Sequence, residues 1–256
     1  MPRSMAWSSM VSRFRSITAS RTITIITSTT TITMERKLHR SRRRMFAASY
    51  AKINLFLEVL GRRPDGYHEV NTVMSSIDLC DSIKYALTKT PCIKLWSNRV
   101  ELESEDNLIF QVASYLQSTY QVELGVEIEL EKRIPIAAGL GGGSSNAAVT
   151  LLALNKLWDM KLGDEELHSV ASKFGSDINF FLGGGTALAS GRGESISPIR
   201  DIEIPHILLV NPGLYISAAE AYKLIEPGYP VRSWNPVDDL SKSFNRLEPG
   251  IRKKYG

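Results

Sequence analysis

Four glycines and two serines stand together in this sequence, directly ahead of an apolar segment. The run reads PIAAGLGGGSSNAA over residues 135–148, and it is followed at helical spacing by Leu151, Leu154 and Trp158. Glycine lets the backbone take left-handed dihedral angles and lets a ligand approach closely, and the free N–H groups of a helix N-terminus attract an anion. The pattern predicts a phosphate-binding loop that opens a helix. The alternative is a flexible Gly/Ser linker, but linkers seldom lead straight into an apolar helix.

A lysine and an asparagine two residues apart lie in a segment with the alternation of a half-buried strand. The predicted faces are Ala51, Ile53, Leu55, Leu57 and Val59 on one side, and Tyr50, Lys52, Asn54, Phe56 and Glu58 on the other. Lys52 and Asn54 therefore point the same way, and an ammonium beside an amide could hold a substrate hydroxyl and its phosphoryl donor. Taken alone, the segment fits a lysine on a solvated strand face better.

A predicted turn at residues 62–66, RRPDG, delivers an aromatic pair, because Pro fixes φ and Asp-Gly tolerates left-handed geometry. Tyr67 and His68 stand at its exit, where they fit either a ligand-binding pair or the end of an ordinary hairpin.

Further on, Asp177 follows a predicted helix at residues 165–174, and the simplest local interpretation is a helix N-cap. A second glycine run, at residues 183–194, leads into alternating sequence and predicts a hairpin bend rather than a phosphate loop.

Four blocks in this order resemble the GHMP small-molecule kinases. Within that superfamily they are most similar to the kinases of 4-diphosphocytidyl-2-C-methyl-D-erythritol, which act in non-mevalonate isoprenoid biosynthesis. The blocks are AKINLFL at 51–57, RPDGYHEV at 63–70, the glycine-rich run at 135–148 and FGSDINFFLGGGT at 174–186. The resemblance extends over residues 46–250.

The resemblance implies transfer of the ATP γ-phosphate to the 2-hydroxyl of that substrate, with ATP and Mg²⁺ as cofactors. Asp177 would be the general base and Lys52 would stabilise its carboxylate, while the protein supplies no metal site of its own. The substrate, which carries cytidine diphosphate, would be held by Asn54, Tyr67, His68 and Tyr222. The implied ATP-binding residues are Asn107, Pro135, Ile136, Ala137, Ala138, Gly139, Leu140, Gly141, Gly142, Gly143, Ser144 and Ser145.

Two other functions remain open at this point. One is a GHMP kinase with a different small alcohol as acceptor, which would not need the aromatic pair for cytidine. The other is a nucleotide-binding remnant that binds ATP without turnover. A phosphoryl-transfer assay on acceptors with and without a cytidine diphosphate group distinguishes all three.

Composition favours an enzyme with a sizeable core. The 256 residues are 43% hydrophobic and 23% charged, and no window approaches 18 uninterrupted apolar residues. Cys80 and Cys92 are too few for a disulfide framework and lack metal-ligand spacing, so we interpret them as thiols of a reducing compartment.

The net charge of +4 is unevenly distributed. Residues 1–44 hold ten Lys and Arg against Glu35, a charge of +9, which leaves −5 for residues 45–256. The acidic remainder argues against general nucleic-acid binding by the folded part, and we expect no membrane partner either. We expect a cytoplasmic monomer or homodimer.

The basic, Ser/Thr-rich extension at residues 1–44 has three interpretations. Met45 is the true start, or the extension is an organelle transit peptide that directs the protein to a plastid, or it is a basic tail that binds nucleic acid or membrane. We expect it to be disordered and to take no part in folding.

The predicted fold class is α+β, a two-layer sandwich of a mixed sheet and helices. We expect a GHMP kinase ATP-binding catalytic domain at residues 45–204 and the start of a ferredoxin-like domain at residues 205–256. The sequence stops at Gly256, ahead of the third motif of the family. With a predicted strand at residues 206–210 and a helix around Tyr222 left without partners, we expect self-association and low turnover.

Overall fold

The computed structural model of this chain describes residues 22–26, 31–35, 43–202, 204–225 and 243–256. The strands are Thr22–Ile26 (β1), Thr31–Glu35 (β2), Arg44–Arg62 (β3), His68–Thr88 (β4), Ile93–Ser97 (β5), Gly125–Glu131 (β6), Thr186–Gly191 (β7), Ser195–Pro198 (β8) and Phe244–Asn245 (β9). The helices are Leu108–Thr119 (α1), Gly142–Leu157 (α2), Asp164–Phe174 (α3), Ile178–Gly183 (α4), Ala218–Lys223 (α5) and Glu248–Tyr255 (α6).

A long antiparallel hairpin of β3 and β4 organises the sheet. Near its open end, β3 pairs with β2 and β4 pairs with β6; nearer its turn, β3 pairs with β9 and β4 pairs with β7. Strands β5 and β6 are parallel, so their connection crosses over, and it contains α1. The sheet is therefore mixed, and each strand of the hairpin has different neighbours along its two halves.

Helix α2 is the centre of the helical layer, because it contacts β3, β4 and the helices α1, α3 and α4. Its sequence is rich in alanine and leucine, and most of its residues are buried, as expected of a helix covered on several sides. The buried hydroxyl groups of Tyr85 in β4 and Thr150 in α2 are 2.9 Å apart and link the two layers. The predicted two-layer α+β architecture is confirmed.

Several predicted elements are present. The apolar spacing of residues 107–116 predicts an amphipathic helix, and α1 covers this segment. Helix α3 covers the predicted helix at 165–174, and α2 follows the first glycine run. The predicted turn joins β3 to β4, with Gly66 at φ +86°. The second glycine run leads into the β7–β8 hairpin, as predicted, and does not open a helix.

The predicted alternation along β3 is wrong beyond Asn54. The pairing register with β4 shifts between Asn54 and Phe56, where β3 has one extra residue. An extra residue reverses the side on which later side chains lie. Phe56 and Glu58 therefore leave the face of Lys52 and are buried elsewhere, whereas Leu57 and Val59 take their places.

The predicted strand at residues 206–210 is also absent. These residues have no strand pairing, and Leu208 and Val210 are exposed. An apolar run becomes a strand only where a neighbouring strand supplies hydrogen-bond partners, and none of the described strands pairs with this run.

The two chain ends contribute to the sheet within the described residues. Strands β1 and β2 form an antiparallel pair that continues the sheet beside residues 44–47. The expected disorder therefore does not hold for these two strands. The rest of residues 1–42 lies outside the described residues, and for it the expectation stays a prediction. Strand β9 pairs in parallel with β3, and its neighbour Arg246 makes a buried ion pair with Glu58 at 2.6 Å.

Among the described helices, none has the length and apolar character needed to cross a membrane.

Candidate active site

A cleft of about 1590 Å³ lies at the turn end of the β3–β4 hairpin. Its walls come from β3, β4, the first glycine run, the start of α4, the β7–β8 turn and residues 209–225 and 245–251. Most of the predicted site residues line it, namely Lys52, Asn54, Tyr67, His68, Pro135, Ala137, Ala138, Gly139, Leu140, Gly141, Ser144, Asp177 and Tyr222. The fold thus brings residues that are up to 170 positions apart in sequence (52 to 222) into one cavity.

Lys52 reaches the cleft from a buried position on β3, with 6% of its surface exposed. Its ammonium donates a hydrogen bond of 2.6 Å to Oδ1 of Asn54. The amide of Asn54 donates to the Thr72 hydroxyl at 2.8 Å, and this hydroxyl donates to the carbonyl of Phe56 at 2.6 Å. The chain of bonds fixes Lys52 and Asn54 on one face, so this part of the sequence prediction is confirmed.

Asp177 stands at the N-cap position of α4, as its local sequence suggests, yet its side chain makes no capping hydrogen bond. The carboxylate instead faces Lys52, with Oδ2 3.5 Å from the lysine Nζ. About a third of the Asp177 side chain, 37%, is exposed to the cleft and solvent. The pair therefore presents an ammonium and an accessible carboxylate to whatever occupies the cleft.

The first glycine run packs tightly against β3, the strand that carries Lys52. Ala137, Gly139 and Gly141 have positive φ angles, and the loop is tied to β3 by a 3.0 Å hydrogen bond from the backbone N–H of Lys52 to the carbonyl of Leu140. A Cβ on Gly141 would lie 2.8 Å from the Phe181 ring and 3.0 Å from Cγ of Lys52, so only glycine fits there. Helix α2 begins immediately afterwards, at Gly142.

The loop and the helix start fit the phosphate groups of a nucleotide. The first N–H groups of a helix have no intrahelical acceptor, and the helix dipole favours an anion at this end. Lys52 adds a positive charge on the same wall of the cleft. Magnesium would take its ligands mainly from the phosphates and water; among the cleft residues, Asp177 is the acidic side chain.

Three aromatic rings line the cleft beside the turn that joins β3 to β4, and we call this part the aromatic end of the cleft. His68 and Tyr222 are stacked, with ring centroids 5.2 Å apart and planes inclined by 15°. Tyr67 is 56% exposed, and the Arg192 guanidinium lies 4.8 Å from its ring centroid. Burial raises the pKa of Tyr222 to about 12, and the negative charge of Asp177 adds to this shift. Tyr222 is therefore a neutral hydrogen-bond donor at ordinary pH.

Some predicted ATP-binding residues do not line the cleft. Asn107 caps α1, because its Oδ1 accepts from the N–H of Ile109 and its amide donates to the carbonyl of Leu102. Ser145 is 1% exposed and accepts a hydrogen bond from the Ser49 hydroxyl. The remaining predicted ATP-binding residues outside the cleft lining are Ile136, Gly142 and Gly143.

Sequence reasoning missed Arg192, Asp81 and Lys132. Arg192 lines the cleft from a hairpin turn, where an isolated arginine carries no signal. Asp81 and Lys132 form a buried ion pair beneath the glycine loop. An acidic residue inside the long strand β4 is the signal that could have revealed Asp81. In the described part of the chain, no group of three His, Cys, Asp or Glu side chains is arranged to hold a metal ion.

Known proteins resemble this chain in sequence. A family model described as the GHMP kinases N terminal domain matches residues 107–191. A Thermoanaerobacter pseudethanolicus protein named 4-diphosphocytidyl-2-C-methyl-D-erythritol kinase is 49% identical over 176 residues, which are 68% of this chain and 60% of that protein. A Bacillus cytotoxicus protein of the same name is 43% identical over 200 residues, covering 77% of this chain and 68% of that protein. This chain thus spans less than two thirds of the length of the first relative.

The fold has a solved counterpart as well. A crystal structure of 4-(cytidine 5'-diphospho)-2C-methyl-D-erythritol kinase matches with a TM-score of 0.64 and 31% sequence identity. The match covers 82% of this chain and 78% of that chain. Sequence and fold therefore point to the same group of proteins.

Proposed function

This chain belongs to the family of the 4-diphosphocytidyl-2-C-methyl-D-erythritol kinases within the GHMP kinases, and on that premise we propose that it transfers the γ-phosphoryl group of ATP to the 2-hydroxyl of 4-diphosphocytidyl-2-C-methyl-D-erythritol. The observation that carries the proposal is the Lys52–Asp177 pair beside the glycine loop. An exposed carboxylate, a buried ammonium and a phosphate cradle in one cleft are what a phosphoryl transfer to an alcohol requires.

Asp177 would take the proton of the attacking hydroxyl. Its carboxylate is free of helix capping and opens to the cleft, so an alcohol can approach within hydrogen-bond distance. Lys52, held by Asn54, stabilises the negative charge that collects on the transferred phosphoryl oxygens. The 3.5 Å separation between the two side chains lets one substrate oxygen contact both groups.

The glycine loop would hold the phosphates of ATP at the N-terminus of α2. Leu140 is tied to the backbone of Lys52, so movement of the loop and of the catalytic lysine is coupled. Mg²⁺, when bound with ATP, neutralises the phosphate charge that repels an incoming nucleophile. The protein positions the two reactants, which is the main source of rate acceleration in this kind of reaction.

The aromatic end of the cleft would receive the cytidine part of the substrate. Tyr67 presents an exposed ring on which a base can stack, and Tyr222 offers a hydroxyl that stays protonated. His68 and Asn54 supply further polar groups for the base and the alcohol. In the structure the rings of His68 and Tyr222 are in contact, so a base can stack on their outer faces but not between them.

Phosphorus NMR tests this function directly. The chain is incubated with ATP, Mg²⁺ and 4-diphosphocytidyl-2-C-methyl-D-erythritol, and the spectrum is followed for ADP and a new phosphate monoester on the 2-hydroxyl. The control is Asp177→Asn, which keeps the size of the side chain and removes the base. ATP binding without any new monoester would contradict the proposal and favour a non-catalytic nucleotide-binding protein.

A further inference from the structure

A buried polar cluster lies beneath the glycine loop and joins its two ends. Its centre is Asp81, which is completely buried on β4. One carboxylate oxygen, Oδ1, accepts hydrogen bonds from the backbone N–H groups of Arg133 at 2.7 Å and Ile134 at 2.8 Å. These two residues immediately precede the loop.

The other carboxylate oxygen of Asp81 bonds to the segment that follows the loop. Oδ2 accepts from the amide of Asn146 at 2.8 Å and from the Lys132 ammonium at 2.5 Å. Asn146 lies in the first turns of α2, and its side chain also accepts from Lys132 at 3.1 Å and donates to the Ser49 hydroxyl at 2.8 Å. A single carboxylate is thus bonded to the chain on both sides of residues 135–145.

Burial of the Asp81 charge is costly, so its hydrogen bonds and its ion pair must all be in place. A buried charge is tolerated only when it is paired and fully hydrogen-bonded, and Asp81 meets both conditions. The Lys132 side chain is 6% exposed, and burial lowers its pKa although Asp81 opposes the shift. Lys132 therefore neutralises Asp81 in the interior and does not extend into the cleft.

We propose that Asp81 is a positioning residue for nucleotide binding, which holds the two ends of the glycine loop at a fixed separation. It touches neither the nucleotide nor the reacting atoms. Its effect passes through the backbone of Arg133 and Ile134 and through the side chain of Asn146. This inference rests on the proposed ATP site, and it concerns binding of the nucleotide rather than transfer of its phosphoryl group.

Two double variants separate loop positioning from the loss of an ion pair. Asp81→Asn/Lys132→Met and Asp81→Leu/Lys132→Met have the same net charge, and neither leaves an unpaired buried charge. Asparagine keeps an acceptor for the N–H groups of Arg133 and Ile134, and its amide can donate to Oδ1 of Asn146, which loses its Lys132 donor in both variants. Leucine of nearly the same size can make neither bond. Only the leucine variant therefore releases the loop.

The measurement is the equilibrium dissociation constant of Mg·ATP, by calorimetry, on the full chain. We expect the asparagine variant to stay within about threefold of the wild type and the leucine variant to bind at least about tenfold more weakly. Equal affinities for the two folded variants would overturn the proposal. A chain that binds ATP with this difference but transfers no phosphoryl group would contradict the proposed function and leave Asp81 as the positioning residue.

Hydrogen exchange on the unmodified chain decides the question if the leucine variant does not fold. The amides of Arg133 and Ile134 should be protected before ATP is added, and ATP should extend the protection to residues 137–142. Rapid exchange of these two amides in the ATP-free protein would overturn the proposal.

Discussion

At the scale of single residues, the proposed function assigns the chemistry to Lys52 and Asp177, whose side chains are 3.5 Å apart. We expect Lys52→Met and Asp177→Asn each to lower kcat by about 100-fold or more, because the general base and the electrostatic stabilisation are each worth that order. The dissociation constant of ATP should change only modestly, since the glycine loop is intact and Lys52 is one of several groups that face the phosphates. Steady-state kinetics and calorimetry measure the two quantities.

Lys84→Met is the matched control for the lysine variant. Lys84 lies on β4 and pairs with Glu129 at the surface, at 2.7 Å, away from the cleft. Lys84→Met removes the same charge as Lys52→Met and should leave kcat unchanged. Near-native turnover of Lys52→Met or Asp177→Asn in an active preparation would mean that the assigned roles are wrong.

Tyr67 tests the recognition of cytidine. Tyr67→Ala removes an exposed ring, and stacking of a base on an aromatic side chain contributes about 1–3 kcal/mol. We expect the KM for the cytidine substrate to rise at least about fivefold while the affinity for ATP is unchanged. Tyr115→Ala, at a tyrosine outside the cleft, is the control. An unchanged KM would favour a kinase with a different acceptor.

The raised pKa of Tyr222 predicts a pH dependence of stability. The folded protein holds this proton up to about pH 12, whereas an unfolded tyrosine releases it near pH 10. The stabilising contribution is therefore fully present below pH 10 and is lost as the pH rises towards 12. Between pH 9 and 11, the free energy of unfolding should fall by roughly 1 kcal/mol more in the wild type than in Tyr222→Phe. Parallel denaturation curves for the two proteins across this range would contradict the assignment.

At the scale of elements, the close approach of the glycine loop to β3 is the feature to test. Gly141→Ala places a methyl group 2.8 Å from the Phe181 ring at a residue with φ +67°. We expect ATP to bind about tenfold more weakly or worse, because the loop must move away from Lys52. Gly213→Ala is the control: its φ is +77° and a Cβ there meets nothing within 4 Å. Equal effects of the two substitutions would show that backbone strain, not close packing, requires glycine.

The elements also show what the sequence could predict. Helices α1, α2 and α3 follow local periodicity, and the turn before Tyr67 follows from its Pro, Asp and Gly residues, so all four were predictable. The register shift after Asn54 depends on the pairing of β3 with β4, which a single strand does not encode. Residues 206–210 have strand-like sequence, but their structure depends on a partner strand.

The residues of the site likewise divide into those predictable from local sequence and those that depend on contacts between distant segments. Lys52 and Asn54 share a face because of local alternation, which the sequence contains. The Asp177 side chain makes no capping hydrogen bond and faces Lys52, which is distant in sequence. Asp81 bonds to the segments before and after the glycine loop, and these segments meet only in the folded chain. Such contacts between distant segments could be proposed only from the family resemblance or seen in the structure.

At the scale of the whole molecule, the basic extension is the part whose role is open to a simple experiment. Removal of residues 1–42 should leave the affinity for ATP unchanged, because the described strands β1 and β2 adjoin residues 44–47, at the opposite end of β3 from the turn that borders the cleft. Calorimetry measures this affinity, and a scan of the same samples gives the melting temperature. A clear loss of ATP binding would contradict the prediction. A melting temperature lower by several degrees would show that the β1–β2 pair stabilises the sheet.

The most direct measurement for the function of the whole chain is the ratio of kcat/KM for two acceptors, one with and one without the cytidine diphosphate group. We predict that 4-diphosphocytidyl-2-C-methyl-D-erythritol is phosphorylated and that the same alcohol without cytidine diphosphate reacts at least about 100-fold less efficiently, since it loses the aromatic end of the cleft. Equal kcat/KM values, or a preference for an alcohol without cytidine, would contradict the account and identify the chain as a GHMP kinase with another substrate.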